Sequence, residues 1–439
     1  MYKDFKNHIE NKLSILKESK LIIAISGGID SVVLAKLCQS LGLNFSLAHC
    51  NFNLRAEESD KDEAFVNALA EQLEVEIFVQ NFDTLAYANQ NKCSIQMAAR
   101  ELRYDWFAEL AQQLNYDYIL TAHHADDNLE TFLINFTRGT GLNGLTGIPM
   151  INGNIVRPLL PFSRHQIEAF TQQENITWRE DASNASRKYL RNKLRHEVVP
   201  VLKQINPNLL TSFQNTLTNL SDTAAIVEES IIAVLKRTLV SKDENGSIFR
   251  VSELKKLNNP KAYLFEIFKD NGFTEWNDIV DLLDAQSGKL IQSNSHRLIK
   301  HREFLILTGL KDSELSEVRI LITEQDSEVE IPSGTLIIQP TESIEKENDN
   351  TLYIDKEKVS FPLELRLWKE GDFFQPLGMN GKKKLSKYLK DEKFSLVEKE
   401  NTWLLTSNKN VVWVVGKRTD DRFKVTKSTH SILKIEFKS

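Results

Sequence analysis

The feature that most constrains the fold is an apolar run followed at once by a glycine-rich loop and a helical pattern. Residues 21–25 are a continuous apolar run rich in isoleucine, which is typical of a strand buried on both faces of a parallel sheet. Adjacent glycines let a backbone approach a phosphate closely, and free amides at a helix start favour an anion. The succession of apolar run, glycine-rich loop and helical pattern therefore predicts a phosphate-binding loop. The simpler alternative is a glycine turn capped by a serine. The loop consists of Ser26, Gly27, Gly28, Ile29, Asp30 and Ser31.

Short apolar runs alternate with helical patterns over the first two hundred residues. Such alternation predicts an α/β fold with a doubly wound parallel sheet, in a catalytic domain over 1–207. We expect a mainly helical domain over 208–312, a linker or irregular β segment over 313–359, and a small α+β domain over 360–439. In the first domain, strands are predicted at 21–25, 45–50, 75–79 and 116–122, with a further strand-like run at 176–178. Helices are predicted at 30–40, 57–73, 94–114, 126–136, 163–173 and 187–203, with Ser94 as the N-cap of the third.

Composition excludes several classes of protein. The net charge of the 439 residues is −6, so any binding of nucleic acid must use local basic patches. No two of Cys38, Cys50 and Cys93 form a C-x-x-C pair, which argues against a disulfide framework and against a structural zinc or iron–sulfur site. The N-terminus has no signal-peptide pattern, and apolar runs such as 411–415 are far too short to span a membrane. We therefore expect a cytoplasmic protein without membrane contact.

An acidic motif follows the fourth predicted strand, at the edge of the sheet where such folds bind ligands. Asp126 and Glu130 are four residues apart on one helix face, and Asp127 and Glu130 are three apart. Several carboxylates at a helix start suit Mg²⁺, an ammonium group, or both. The alternative is an acidic first turn that only complements the helix dipole.

Basic side chains form three further groups. Arg100 and Arg103 share a helix face and could neutralise a phosphate, with surface pairing to Glu101 or Asp105 as the alternative. The segment 187–203 is a strongly basic helix in an acidic chain, which suits contact with a nucleic acid backbone. Lysines 382–384 are a second candidate contact of this kind, and a solvated face is the alternative for both.

These motifs together resemble one family. The loop 26–31 resembles the PP-loop of ATP pyrophosphatases, which cut ATP between the α and β phosphates. The patterns H-x-x-D-D-x-x-E-T at 123–131, A-R-x-x-R-Y at 99–104 and R-N-x-L-R-x-x-V-x-P at 191–200 are similar to those of tRNA(Ile)-lysidine synthetases, as are segments between 369 and 418. Two departures limit the resemblance. Residues 51–55 read NFNLR where many members have NHGLR, and Lys193 stands where arginine is commoner.

The resemblance implies a reaction in two steps. ATP first adenylates the wobble cytidine of a tRNA(Ile) with a CAU anticodon, and L-lysine then displaces AMP. It implies that Asp30 and one of Asp126 or Asp127, here Asp127, hold Mg²⁺, and that the other carboxylates, including Glu130, bind the lysine ammonium group. Arg100 and Arg103 are implied to stabilise the transferring phosphate or to orient the lysine carboxylate. The oligomeric state stays open, with a homodimer as one option. The implied tRNA contacts are Arg55, Arg138, Arg191, Asn192, Arg195, Lys382, Lys383 and Lys384.

Three alternative functions compete with this one. A tRNA thiolase generally needs paired cysteines or an iron–sulfur cluster, and the cysteines here are unpaired in sequence. A small-molecule synthetase that uses ammonia usually carries a glutaminase domain, and no segment resembles one. A non-catalytic RNA-binding module would not need the intact carboxylates Asp30, Asp126, Asp127 and Glu130.

Overall fold

The computed structural model describes residues 1–54, 57–179, 190–243, 246–310, 318–345, 349–379 and 381–438. The chain divides into two compact units, Met1–Glu228 and Glu229–Ser439. Of the predicted site residues, Arg55 lies outside the described residues, as do the first three residues of the basic helix predicted over 187–203.

The first unit is an α/β domain built on one sheet, whose order is β3-β2-β1-β4-β6-β5. All neighbouring pairs are parallel except β5 with β6, and Leu21 of the inner strand β1 lies between Phe45 and Tyr118. The apolar run predicted to be buried is buried, because helices cover both faces of β1. The predicted α/β fold with a doubly wound parallel sheet is confirmed. The strands are β1 Leu21–Ala24, β2 Phe45–Asn51, β3 Ile77–Asn81, β4 Tyr118–Leu120, β5 Ile151–Asn152 and β6 Ile155–Val156.

The helices of this unit begin where the sequence offers caps. Ser94, the predicted cap, accepts a hydrogen bond from the Met97 amide (3.2 Å), and Ser163 forms a capping box with Gln166. The basic helix runs from Leu190 with a π-helical turn over Leu194–Val198, and the run predicted at 176–178 forms no strand. The helices are α1 Tyr2–Lys12, α2 Ile29–Ser40, α3 Glu57–Leu73, α4 Thr84–Gln90, α5 Ile95–Gln113, α6 Ala125–Arg138, α7 Leu142–Leu145, α8 Arg164–Gln173, α9 Leu190–Lys193 and α10 Val199–Ile205.

The longest helix of the described chain is α11, Leu209–Thr238. It is amphipathic rather than uniformly apolar: Phe213, Leu217 and Val234 are buried, whereas Ile226 is exposed. Across the described residues, no helix combines the length and the hydrophobicity that a membrane crossing requires.

The region after α11 was predicted to be mainly helical, and it also contains an antiparallel sheet with the order β7-β8-β11-β10-β9. Strand β10 shows why the sequence pattern did not predict this sheet, since two charged residues, Arg297 and Lys300, are buried in it. Arg297 pairs with Glu400 (2.9 Å), and Lys300 donates to the Arg302 carbonyl. The elements are β7 Leu239–Asp243, β8 Gly246–Arg250, α12 Val251–Leu254, α13 Pro260–Phe268, α14 Trp276–Asp281, β9 Leu290–Gln292, β10 His296–His301 and β11 Phe304–Gly309.

The prediction that 313–359 is a linker or irregular β segment needs correction. Three of its described strands pair with strands beyond 360: β12 with β16, and both β14 and β15 with β22. These partners are distant in sequence, so local periodicity could not reveal the sheets, and no boundary falls at 359. The elements are β12 Arg319–Ile322, β13 Glu328–Ile331, β14 Gly334–Thr341, β15 Thr351–Asp355, β16 Leu363–Leu367, β17 Phe373–Phe374, β18 Lys383–Lys384, α15 Leu385–Asp391, α16 Leu396–Glu400, β19 Trp403–Ser407, β20 Asn410–Val414, β21 Arg418–Thr419 and β22 Ile432–Lys438.

Candidate active site

The predicted phosphate loop joins β1 to α2 and has the geometry of an anion cradle. Gly27 has a φ of +84°, and an added Cβ would lie 3.4 Å from the Phe65 ring, so only glycine fits without strain. The first bond into the helix runs from the Val32 amide to the Gly28 carbonyl (3.1 Å), which leaves the preceding amides without an intrahelical acceptor. Ser31 stiffens the loop, since its hydroxyl donates to the Gly28 carbonyl (2.9 Å).

Asp30 follows the glycines and faces the side chains of Arg164 and His124. Nη1 of Arg164 donates to both of its carboxylate oxygens, at 2.8 and 3.0 Å, and Nε2 of His124 lies 3.8 Å from Oδ1. Burial raises the pKa of Asp30 above its ordinary value, although the charges of His124 and Arg164 oppose that rise. The neighbouring charge of Asp127 adds to the rise.

The acidic motif forms the first turns of α6, where the helix start is closed by a capping box. The His124 amide donates to Oδ2 of Asp127 (3.1 Å), and Nε2 of the same histidine lies 3.3 Å from that oxygen. Burial alone acts to raise the pKa of Asp127, but the charges of His124 and Arg191 outweigh it and hold that pKa below its ordinary value. Asp127 and Asp30 therefore both face one imidazole nitrogen.

Glu130 lies one turn further along α6 and is almost completely buried. Its carboxylate accepts hydrogen bonds from Nε of Arg191 (2.8 Å) and from Nε and Nη2 of Arg195 (2.6 and 3.0 Å). Arg195 also donates to Oδ1 of Asp127 (3.0 Å). Two arginines predicted as tRNA contacts thus point towards the site carboxylates.

Asp126 is held by two different elements. Oδ1 lies 2.5 Å from Nζ of Lys203 in α10, and Oδ2 accepts a hydrogen bond from the Arg164 amide at the start of α8 (2.8 Å). Burial acts to raise the pKa of Asp126, and these two donors outweigh it and lower the pKa. Both oxygens are therefore already used for structural contacts.

Arg100 and Arg103 are exposed on α5 and lie over aromatic rings. The Arg100 guanidinium is 4.9 Å from the centre of the Tyr104 ring, and that of Arg103 is 5.1 Å from the centre of the Phe52 ring. The charge of Arg100 helps to lower the pKa of His123, which places this arginine at the site edge. Within the described residues, neither arginine pairs with Glu101 or Asp105.

The remaining predicted contacts differ in their surroundings. Arg138 is exposed at the end of α6, and Asn192 is half-buried. Lys382 and Lys384 are exposed, whereas Lys383 pairs with Asp391 (2.9 Å). Arg138 and Asn192 lie in the first unit, and the three lysines 382–384 lie in the second.

Sequence analysis missed three site residues: His124, Arg164 and Lys203. His124 stood inside the acidic motif, and its position directly before the helix was the available signal for a cap. Arg164 and Lys203 contact carboxylates 134 and 77 residues away, so no local pattern indicated them.

His123 has a distinct environment beside these groups. Burial lowers the pKa of His123 to about 4, and the charges of Arg157, Arg191 and Arg100 contribute to the same shift. Asp127 opposes the shift without reversing it. The imidazole is therefore neutral near pH 7, with Nδ1 3.1 Å from the Thr121 hydroxyl.

The domains match known family models. Residues 1–202 match the PP-loop domain, residues 242–310 the TilS substrate binding domain, and residues 363–436 the TilS substrate C-terminal domain. The sheet, the glycine-rich loop and the first match define a PP-loop ATP-binding protein.

Relatives narrow this class further. The tRNA(Ile)-lysidine synthase of Parabacteroides distasonis is 42% identical over 98% of this chain and 98% of its own length. Those of Bacteroides thetaiotaomicron and Porphyromonas gingivalis are 36% and 35% identical, covering 97% and 95% of this chain and 97% and 93% of their own lengths. The chain belongs to the tRNA(Ile)-lysidine synthase family.

The low pKa of His123 predicts that this residue lowers the stability of the folded protein in acid. Because this pKa is below its ordinary value of 6.5, the unfolded state binds the proton more readily, so stability is retained above pH 6.5 and lost as the pH falls towards 4. His123→Asn should remove about 3 kcal/mol of that loss in urea unfolding measured from pH 7.5 to pH 4. The exposed His165→Gln on α8 is the control and should follow the unmodified protein; an equally steep curve for His123→Asn would refute the assignment.

Proposed function

We propose that this protein is an ATP-dependent ligase that joins L-lysine to the wobble cytidine of a tRNA(Ile) with a CAU anticodon, releasing AMP and pyrophosphate. The observation that carries the proposal is that Asp30 of the phosphate loop and Asp127 of the acidic helix face the same nitrogen of His124, in a member of this family. The phosphate loop and the acidic helix thus lie side by side.

The loop 26–31 is proposed to hold the β and γ phosphates of ATP. The N-terminal end of α2 and the amides without an intrahelical acceptor favour a bound anion. The Ser26 hydroxyl, 3.1 Å from that of Ser31, is a further donor. Arg100 and Arg103, exposed on α5, are proposed to stabilise the phosphate that is transferred or to orient the lysine carboxylate.

The carboxylates of Asp30 and Asp127 fit a Mg²⁺ ion. Magnesium usually takes one or two protein carboxylates and completes its shell with phosphate oxygens and water. When bound, it would neutralise charge on the phosphates. No group of three or more His, Cys, Asp or Glu side chains forms a metal site in the described part of the chain. Asp127 is favoured as the second ligand because it faces the same His124 nitrogen as Asp30.

Glu130 is proposed to receive the ammonium group of lysine, with Asp126 as the other carboxylate that is not assigned to Mg²⁺. The Glu130 carboxylate is already neutralised by Arg191 and Arg195, so a bound ammonium group must replace one of these guanidinium contacts. The released arginine would become available to a tRNA phosphate, which reconciles the inward contacts seen here with the contact to tRNA proposed for Arg191 and Arg195. Asn192 and Arg138 are proposed to contact tRNA beside them.

Two of the three cysteines, Cys38 and Cys50, favour a ligase over a tRNA thiolase. Cys38 is fully buried, and burial raises its pKa far above the neutral range. Burial also raises the pKa of Cys50 to about 12. Neither thiol is ionised at neutral pH, whereas sulfur chemistry requires a thiolate.

The direct test is ATP-dependent incorporation of labelled lysine into tRNA(Ile) with a CAU anticodon. We expect one lysine per tRNA at the wobble cytidine, with AMP and pyrophosphate released in equal amounts. The methionine tRNA that shares this anticodon is the control. Incorporation of labelled sulfur without lysine would instead identify a thiolase.

Asp30→Ala should abolish this turnover and leave tRNA binding within about twofold, because Asp30 acts on the phosphates and not on the RNA. Turnover is measured by lysine incorporation, and binding by filter retention of labelled tRNA. The matched control is Asp117→Ala, a carboxylate outside the acidic motif that accepts from the Lys20 amide. Full activity of Asp30→Ala would remove Asp30 from the metal site.

Replacing Lys382, Lys383 and Lys384 by glutamine should weaken tRNA binding and reduce its salt dependence. Each lost phosphate contact lowers the slope of log K against log salt by about 0.7–0.9, and the pairing of Lys383 with Asp391 leaves about two contacts to lose. The control replaces Lys3, Lys6 and Lys12 on α1, which changes the net charge equally. Equal slopes for the two triple variants would exclude this patch from the interface.

A further inference from the structure

Arg164 belongs to none of the sequence motifs, yet it contacts Asp30, the one carboxylate of the phosphate loop. Its Nη1 lies 2.8 and 3.0 Å from the two oxygens of Asp30. One nitrogen within hydrogen-bond distance of both oxygens holds the carboxylate at a short distance from the guanidinium group. The side chain therefore contributes to where the charge of Asp30 lies.

Arg164 is itself held from three directions. Ser163 caps the start of α8, the Arg164 amide donates to Oδ2 of Asp126 (2.8 Å), and Nε of Arg164 donates to Oε1 of Glu168 (2.8 Å). Lys203 binds the other oxygen of Asp126. The arginine thus connects the phosphate loop with the acidic helix and, through Asp126, with α10.

The charge of Asp30 needs such a partner because of where it lies. Its carboxylate is largely buried, next to the carboxylate of Asp127, at the start of a helix that must receive a triphosphate. An uncompensated carboxylate at this position would repel the phosphates in a medium of low dielectric constant. The guanidinium group removes that repulsion, and it remains charged at every pH of interest.

We propose that Arg164 is a positioning residue that orients and neutralises Asp30, so that the phosphate loop accepts ATP. Arg164 acts through Asp30 and does not react with the substrate. The inference rests on the proposed function only for the use of ATP; it requires neither lysine nor tRNA.

The test is a double-mutant cycle on nucleotide binding without tRNA or lysine, using an ATP analogue with a methylene bridge between the α and β phosphates. Arg164→Gln should weaken binding roughly tenfold or more, the usual scale for one charge-assisted contact. Arg164→Lys, which keeps the charge, should remain within about threefold of the unmodified protein. In a protein that already carries Asp30→Asn, Arg164→Gln should cost less than about twofold, because its partner no longer carries a charge.

Two controls separate this role from general damage to the domain. His165→Gln changes the next residue on the same helix and should bind the analogue normally. Glu168→Gln removes the contact to Nε but leaves Nη1 on Asp30, and it should have a small effect. If Arg164→Gln does not fold, as judged by thermal unfolding, the same cycle is run with Arg164→Met, which keeps an aliphatic stem and removes the charge.

Unchanged binding by Arg164→Gln, or an equal loss with and without the charge of Asp30, would overturn the proposal. Failure of lysine incorporation together with clear coupling between Arg164 and Asp30 would instead remove the proposed reaction and leave the role of Arg164 intact.

Discussion

The structure of the site depends on the pairing of buried carboxylates with cationic side chains. Glu130 is almost completely removed from solvent, which would be prohibitive for a charge without partners. Arg191 and Arg195 supply those partners from a segment some sixty residues further along the chain. The acidic helix can therefore take its position only when the basic segment packs against it. This mutual dependence fixes the start of α6 beside the phosphate loop.

Pairing also explains how an acidic chain can handle anionic substrates. The net charge is −6, but positive and negative groups are concentrated together at the carboxyl edge of the sheet. Arg164 neutralises Asp30, and Lys203 neutralises Asp126. A site arranged in this way presents each substrate with locally complementary charge, whereas the overall charge contributes little at physiological ionic strength.

Local sequence patterns predicted the features that depend on residues close together in the chain. The strand, the loop 26–31 and the following helix are adjacent in sequence, and the structure has them as predicted. The contacts of Arg164 and Lys203 join elements far apart in the chain, and so do the pairings of β14 and β15 with β22; these depend on how the chain folds back, which periodicity does not encode. Resemblance supplied the family, while the partners of each carboxylate came only from the structure.

The π-helical turn over Leu194–Val198 controls the phase of the basic helix. In a regular α-helix, successive residues advance by about 100°, so Lys203 would lie roughly 80° around the axis from Arg195. The π turn absorbs one extra residue and rotates the C-terminal part of the helix back by about one position, which brings Lys203 nearly in line with Arg195. Arg191, Arg195 and Lys203 can therefore all reach the acidic helix α6 from one side. Losing one residue from this turn would point Lys203 away from the acidic helix while leaving the composition almost unchanged. The number of residues across the turn is therefore constrained by the same contacts that constrain the charged side chains.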